Sequence, residues 1–127
     1  MISVIIPTLN AENDLPTTLN ALIPAAISGI VKEVIVVDGG SHDHTVRIAD
    51  NAGAKIITSE KGRGKQLNKG ATQALSPWLL FLHADTELTE GWERAVNLLK
   101  IAKFKINKSM QQPFNSNYQM WDGGQDY

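Results

Sequence analysis

The sequence predicts an α/β fold, with a mainly parallel twisted sheet flanked by helices, on three observations. Apolar runs of strand length recur at residues 2–6, 33–37, 54–58 and 78–82. Stretches of helix length with an apolar stripe separate them, giving the order βαβαβαβα. The runs are nearly uninterrupted and rich in β-branched residues (Ile2-Ser3-Val4-Ile5-Ile6, Val34-Ile35-Val36-Val37), as strands buried on both faces must be. Such an alternation implies right-handed crossovers and helices on both sides of the sheet.

The elements run in this order. The strand at Ile2 to Ile6 ends against Pro7. Asn13 or Asp14 can cap the next helix, Pro16 is tolerated in its first turn, and Leu15, Leu19, Leu22, Ile23 and Ala26 share one stripe. Glu33 to Val37 is the second strand. Asp43 or His44 starts a second helix with Val46, Ile48, Ala49 and Ala52 on its apolar side, and Gly53 suits its C-terminal cap. Ala54 to Thr58 is a third, shorter strand. A helix from about Gly64 to Leu75 stops before Ser76-Pro77, because the residue preceding proline is pushed out of the helical region. Trp78 to Leu82 is the fourth strand, and Thr89 can cap a last helix carrying Trp92, Ala95, Val96 and Leu99. Lys105 to Tyr127 is rich in Asn, Gln, Lys and Ser without a sustained period. The expected division is therefore a domain over 1–103 and an irregular tail over 104–127.

Composition narrows the function classes. The 127 residues suit one domain with its own core. Lys+Arg 12 against Asp+Glu 13 leaves a net charge of -1, so there is no basic field of the kind that holds nucleic acid or an anionic membrane. The absence of cysteine removes disulfides, thiol catalysis and Cys-ligated metal centres. No apolar run approaches the roughly 20 residues of a membrane span, and the apolar start Met1 to Ile6 lacks a basic leader and is cut short by Pro7. The expected location is the cytoplasm, where the sequon-like Asn107-Lys108-Ser109 carries no meaning.

In an open parallel sheet, ligands bind beyond the carboxyl ends of the strands. The segment after each strand here is polar, Gly-rich or charged: Pro7 to Glu12, Asp38 to Asp43, Ser59 to Gln66, and His83 to Glu87. Asp38 stands directly after Val37 with Gly39-Gly40 behind it. A carboxylate there can accept from a base N–H or a ribose hydroxyl while glycine lets backbone approach; its plainer reading is an Asx-turn. Asp85 comes after Leu79 to Leu82 through His83-Ala84. One carboxylate at a strand end suffices for Mg²⁺ or Mn²⁺ when substrate phosphates supply other ligands, and the cation then neutralises charge on a departing diphosphate. The plainer readings are a loop acid for Asp85 and a core-edge histidine for His83. Gly62-Arg63-Gly64-Lys65 places cations and loose backbone at a helix N-terminus, a phosphate cradle or else a solvated basic loop. It fails the P-loop pattern at Ser59 and Gln66, and Arg63 is the better diphosphate partner because its planar fork matches phosphate oxygens. Asp38 to His42 is not GxGxxG, and His42, Asp43 and His44 diverge at a helix start with no third ligand nearby, which argues against zinc.

Four ordered blocks carry a family resemblance: Ser3-Val4-Ile5-Ile6-Pro7-Thr8-Leu9-Asn10-Ala11-Glu12; Val34 to Val37 with Asp38-Gly39-Gly40-Ser41-His42-Asp43-His44-Thr45; Gly62-Arg63-Gly64-Lys65-Gln66-Leu67-Asn68-Lys69-Gly70-Ala71; and Phe81-Leu82-His83-Ala84-Asp85-Thr86. Over about residues 2–100 the chain resembles the family 2 glycosyltransferases, in particular the subgroup with Asp-Gly-Gly-Ser and His-Ala-Asp signatures. The resemblance implies a GT-A fold with a Rossmann-like nucleotide-binding half, and inverting transfer of a sugar from a nucleotide-diphosphate donor, a UDP-sugar, with a divalent cation. It implies that Pro7, Thr8 and Glu12 line the nucleotide, that Asp38 with Gly39 meets the nucleobase, and that Arg63 lies near base and diphosphate. It also implies that Asp85 is the last acid of the DxD metal motif, and that His83 stands on the nucleotide-sugar side where many members carry that motif's first Asp.

Residues after about 103 do not resemble the acceptor-binding half that normally continues the family's chains, and no acid of the matched region serves as general base. The expectation is a truncated, weakly active transferase; the alternative is a non-catalytic nucleotide-sugar-binding fragment. A sheet ending midway leaves an uncovered edge and favours self-association. A receiver-like signalling module shares the alternation but wants an acidic pair after the first strand, where this chain has Pro7-Thr8.

Overall fold

The computed structural model describes residues 1–88 together with Gly91 and Trp92. Its elements are β1 (Ile2–Thr8), α1 (Leu15–Ile27), β2 (Val31–Asp38), α2 (Thr45–Asn51), β3 (Lys55–Thr58), α3 (Arg63–Gln73) and β4 (Leu79–Phe81). The body of the expected last helix and the 104–127 tail lie outside the described residues. Among the described residues every strand pairing is parallel, in the order β3-β2-β1-β4. β1 therefore lies inside the sheet, and Val4, Ile5 and Ile6 have no solvent exposure.

The two faces carry separate cores. Val4, Ile6, Val36 and Leu80 pack with Leu15, Leu19 and Leu22 of α1 and Ala49 of α2. On the other face Ile5, Ile35, Val37 and Phe81 pack with Leu67 of α3. The chain moves outward from β1 through β2 to β3 along one face, then returns by α3 across the opposite face to β4. The reversal puts the topological switch point between β1 and β4.

The strands part there for a chemical reason. Ser3 N–H donates to Trp78 O (2.9 Å) and Leu82 N–H to Ile5 O (3.0 Å), so the odd-numbered residues of β1 serve β4. Thr8 O accepts from Gly39 N–H (2.9 Å), so the even ones serve β2. Pro7 falls in the odd set and has no N–H to continue the β4 ladder. β1 runs on to Thr8 beside β2, two residues past its expected end, while its pairing with β4 ends at Ile5↔Phe81.

Local ends differ from the expected ones by small, explicable amounts. Asp14 holds the N-cap position of α1 without a side-chain cap bond; the first turn is closed by Leu15 N–H on Ala11 O (2.9 Å). α2 begins at Thr45, and the capping carboxylate is Asp43, which accepts from the Thr45 amide (2.9 Å) and from its hydroxyl. Gly53, at φ +83°, ends α2 as expected, with Ala54 N–H reaching back to Ala49 O (3.1 Å). α3 ends at Gln73, because Ala74 is extended and Leu75 N–H is taken by the Glu33 carboxylate (2.5 Å), itself held by Ser3 Oγ (2.6 Å).

α3 lies tight on the sheet at Gly70, where an added Cβ would stand 2.6 Å from Ile5 Cγ2 and 2.9 Å from Val37 Cγ2. Gly70→Ala is expected to lose about 1–3 kcal/mol through overpacking, read as a lower urea midpoint. Gly64→Ala, with nothing within 4 Å of the new methyl, is expected to gain about 0.4–1 kcal/mol by restricting the unfolded chain.

Candidate functional site

A cleft of about 320 Å³ opens where β1 and β4 separate. Pro7, Thr8, Leu9, Asn10 and Ala11 form one wall and His83, Ala84 and Asp85 another, with Asp14 at the start of α1 and Arg63 and Gln66 at the start of α3. Of the residues expected at a site, Pro7, Thr8, Arg63, His83 and Asp85 thus meet in one cavity; Asp38, Gly39 and Glu12 do not line it.

Asp38 sits one hydrogen bond behind the cleft wall, at 3% exposure. Its Oδ1 accepts from Thr8 Oγ1 (2.8 Å) and Ser41 Oγ (2.6 Å), and its Oδ2 from the amides of Gly40 (3.1 Å) and Ser41 (2.8 Å). The bonds to Gly40 and Ser41 make it an Asx-turn, and together the four donors occupy a carboxylate's lone-pair positions. Burial pushes this carboxyl upward, but the Ser41 hydroxyl and amide, the Thr8 hydroxyl and the Gly40 amide outweigh it and hold it below the ordinary Asp value.

The network continues outward. Ser41 Oγ accepts from Asn10 N–H (2.8 Å), and Asn10 Oδ1 accepts from His42 N–H (2.8 Å). Asn10 holds φ +52°, a left-handed conformation that Asn tolerates better than most residues. Ala11 N–H donates to Thr45 Oγ1 (2.8 Å), Glu12 N–H to Asp43 Oδ2 (3.2 Å), and the Glu12 carboxylate meets the His44 ring Nδ1 (3.0 Å). Glu12, expected beside a nucleotide, is thereby placed in a clasp between the β1–α1 and β2–α2 loops. Asp43 is likewise held below its ordinary value, chiefly by the Thr45 hydroxyl.

Sequence reasoning missed Gln66, noticed only where it spoils a P-loop pattern. Its amide is buried and spans two strand ends, Nε2 donating to Thr8 O (3.0 Å) and Val37 O (2.8 Å), while Oε1 accepts from Gly62 N–H (3.2 Å). These bonds seat the N-terminus of α3 over the ends of β1 and β2, with Arg63 on the cleft. Gly39 matches the same side chain, because a Cβ there would approach Gln66 Oε1 to 3.0 Å. Nothing local in the sequence marks a glutamine whose partners are main-chain oxygens of two distant strands.

The electrostatics are those of an anion site facing a carboxylate. The positive end of α3 and the Arg63 guanidinium share the cleft with Asp85. Among the described residues no group of three His, Cys, Asp or Glu side chains could hold a metal ion. His42, Asp43 and His44 accordingly form no metal centre. Asp85 and His83 present at most two donors on one loop, a set that fits Mg²⁺ or Mn²⁺ only when phosphate oxygens and water complete the shell.

Comparison with known proteins agrees with the fold. The sequence profile of Glycosyl transferase family 2 matches residues 3–107, and the chain belongs to that family. It is 37% identical over 111 residues to a PGL/p-HBAD biosynthesis glycosyltransferase of Mycobacterium bovis, covering 82% of this chain and 41% of the relative. It is 31% identical over 130 residues to the 4,4'-diaponeurosporenoate glycosyltransferase of Staphylococcus haemolyticus, covering 95% of this chain and 34% of that one. The fold matches glucosyl-3-phosphoglycerate synthase from Mycobacterium tuberculosis, crystallised with Mn²⁺, UDP and glucosyl-3-phosphoglycerate, at a TM-score of 0.61 and 27% identity, over 66% of this chain and 33% of that one. The same enzyme with Mg²⁺ and UDP gives a TM-score of 0.60. The GT-A architecture is thus the architecture of this chain, which spans 41% or less of the length of these curated relatives.

The Asp38 network has a measurable pH signature. A folded-state pKa below the ordinary 3.8 gives stability that is complete above that value and lost as pH falls through the lowered one. The wild-type urea midpoint is expected to drop as pH goes from about 5 toward about 2. Asp38→Asn should be less stable at neutral pH by about 2–3 kcal/mol and show a shallower acid drop, the remainder including Asp43.

Proposed function

We propose that this chain is the donor-binding part of an inverting glycosyltransferase that takes a sugar from a nucleotide diphosphate, a UDP-sugar. The observation that carries the reading is the cleft at the β1/β4 switch point, where Arg63 and the α3 N-terminus face the Asp85 loop. Family membership and the likeness to an enzyme crystallised with UDP-glucose and Mn²⁺ support it.

In this reading Pro7 and Thr8 shape the nucleoside wall, with Asp38 and Gly39 behind its base end. Asp38 accepts an incoming N–H by exchanging one of its four present donors, and the Thr8 hydroxyl, itself on the cleft wall, is the exchangeable one. Arg63 and the α3 N-terminus take the diphosphate oxygens and balance the charge that grows as the sugar leaves. Asp85, with His83 beside it, would hold Mg²⁺ or Mn²⁺, which supplies Lewis-acid stabilisation of the leaving diphosphate when bound. Glu12 acts at one remove, keeping the β1–α1 loop docked. A second reading is a nucleotide-sugar-binding module without transfer.

Among the described residues no helix is long and apolar enough to cross a membrane. We place the chain's activity in the cytoplasm, a reading supported by its lack of cysteine.

Titration calorimetry with UDP and UDP-glucose, with and without Mn²⁺, combined with product analysis, tests both readings. Binding with sugar transfer supports the first, binding without transfer the second, and no binding removes both. Arg63→Ala is expected to weaken UDP about 10-fold or more, the loss of a charge-assisted bond. Asp85→Ala should abolish the Mn²⁺ dependence. β3 and β4 are the sheet edges among the described residues, and we propose self-association through such an edge; sedimentation velocity should show mass rising with concentration.

A further inference from the structure

We infer that Thr18 is the positioning residue of the Asp85 loop, fixing the backbone on both sides of Asp85 and through it the place of the carboxylate in the cleft. The inference rests on the proposed function, in which Asp85 holds the divalent cation.

Thr18 lies in the first turn of α1 and is 1% exposed. A buried helical threonine ordinarily turns its hydroxyl back onto the carbonyl four residues earlier. Here that contact, to Asp14 O, is stretched to 3.5 Å, while the same Oγ1 stands 2.6 Å from Ala84 O and 3.2 Å from Thr86 O. A hydroxyl has one proton to give, and the shortest of the three distances assigns it to Ala84, with Thr86 sharing.

Ala84 and Thr86 are the two neighbours of Asp85. The loop is a tight turn, Thr86 N–H closing onto His83 O (3.1 Å). It begins where the sheet stops holding the chain, since β4 pairs with β1 to Phe81 and Leu82 N–H reaches Ile5 O. Ala84 packs against the same core as Leu15 and Leu19, so the inner side of the turn is anchored to α1 by contact and by hydrogen bond. With both flanking carbonyls drawn toward Thr18, the turn has one way to present residue 85, and that residue lines the cleft. A carboxylate that shares a cation with a mobile substrate has few ligands to correct its position, so its support must come from the backbone.

The test is calorimetric titration of UDP into the full chain over a series of Mn²⁺ concentrations, for wild type, Thr18→Val, Thr18→Ser and Asp85→Ala, with urea midpoints for each. Thr18→Val keeps the shape and removes the proton; it should raise the Mn²⁺ concentration at half-effect by about 10–100-fold, as loss of a ligand's supporting contact does. UDP affinity without metal should be unchanged, and Thr18→Ser should retain the wild-type Mn²⁺ response. If Thr18→Val does not fold, Thr18→Ala takes its place with the same expectation. Normal Mn²⁺ response in Thr18→Val with loss in Asp85→Ala overturns the role of Thr18 and leaves the function standing. An equal fall in metal-free UDP affinity, or a serine variant as impaired as valine, also overturns it. A wild-type response to Mn²⁺ that Asp85→Ala does not change removes the reading of Asp85 itself, and the role of Thr18 with it.

Discussion

β1 bonds to β4 through its odd-numbered residues and to β2 through its even ones, and Pro7 falls in the odd set. A proline in an inner strand is usually a defect because it removes a ladder donor. Here the missing donor lies where the chain changes direction across the sheet. One neighbour is released while the other stays paired to Thr8↔Asp38. The opening that results separates the residues that follow β1 from those that follow β4, and α3 brings Arg63 and Gln66 to it.

The two walls are supported differently. On the β2 side, polar groups satisfy one another from a buried centre outward: Asp38 takes four donors, Gln66 closes the carbonyls of Thr8 and Val37, and Ser41 passes the network to the exposed Asn10. A fully satisfied buried network is stiff, since breaking any bond leaves a polar group desolvated without a partner. On the β4 side a short turn is tied to α1 by a threonine hydroxyl and an alanine contact. One wall is thus tied across the sheet by a hydrogen-bond network and the other to α1 through the Asp85 turn.

The strands and their parallel pairing could be read from the chain because burial on both faces leaves a local mark, an unbroken β-branched run such as Ile35-Val36-Val37. Strand order leaves none; the loops after β1 and β4 became neighbours only once the return path of α3 was known. Asp38, Arg63 and Asp85 stood out because charge at a strand end or helix start is a local signal. What each does depends on distant partners. Asp38 gathers hydrogen bonds from Thr8 across the sheet, Glu12 turns to His44, and Asp43 rather than Asp14 caps a helix by side chain. Gln66 and Thr18 were invisible for the same reason, as both act on main-chain oxygens far away in sequence.

Gly39 and Gln66 are bound to each other in a further sense. The ideal Cβ position at 39 lies 3.0 Å from the amide oxygen of Gln66 and 3.2 Å from its nitrogen. A side chain at 39 would therefore be admitted only if that amide swung aside, and the amide is what ties the two strand ends to the start of α3. Over evolutionary time these two positions should drift as a pair: a lineage that acquires a bulkier residue at 39 must find another way to dock the third helix, and one that loses the glutamine frees its partner to vary.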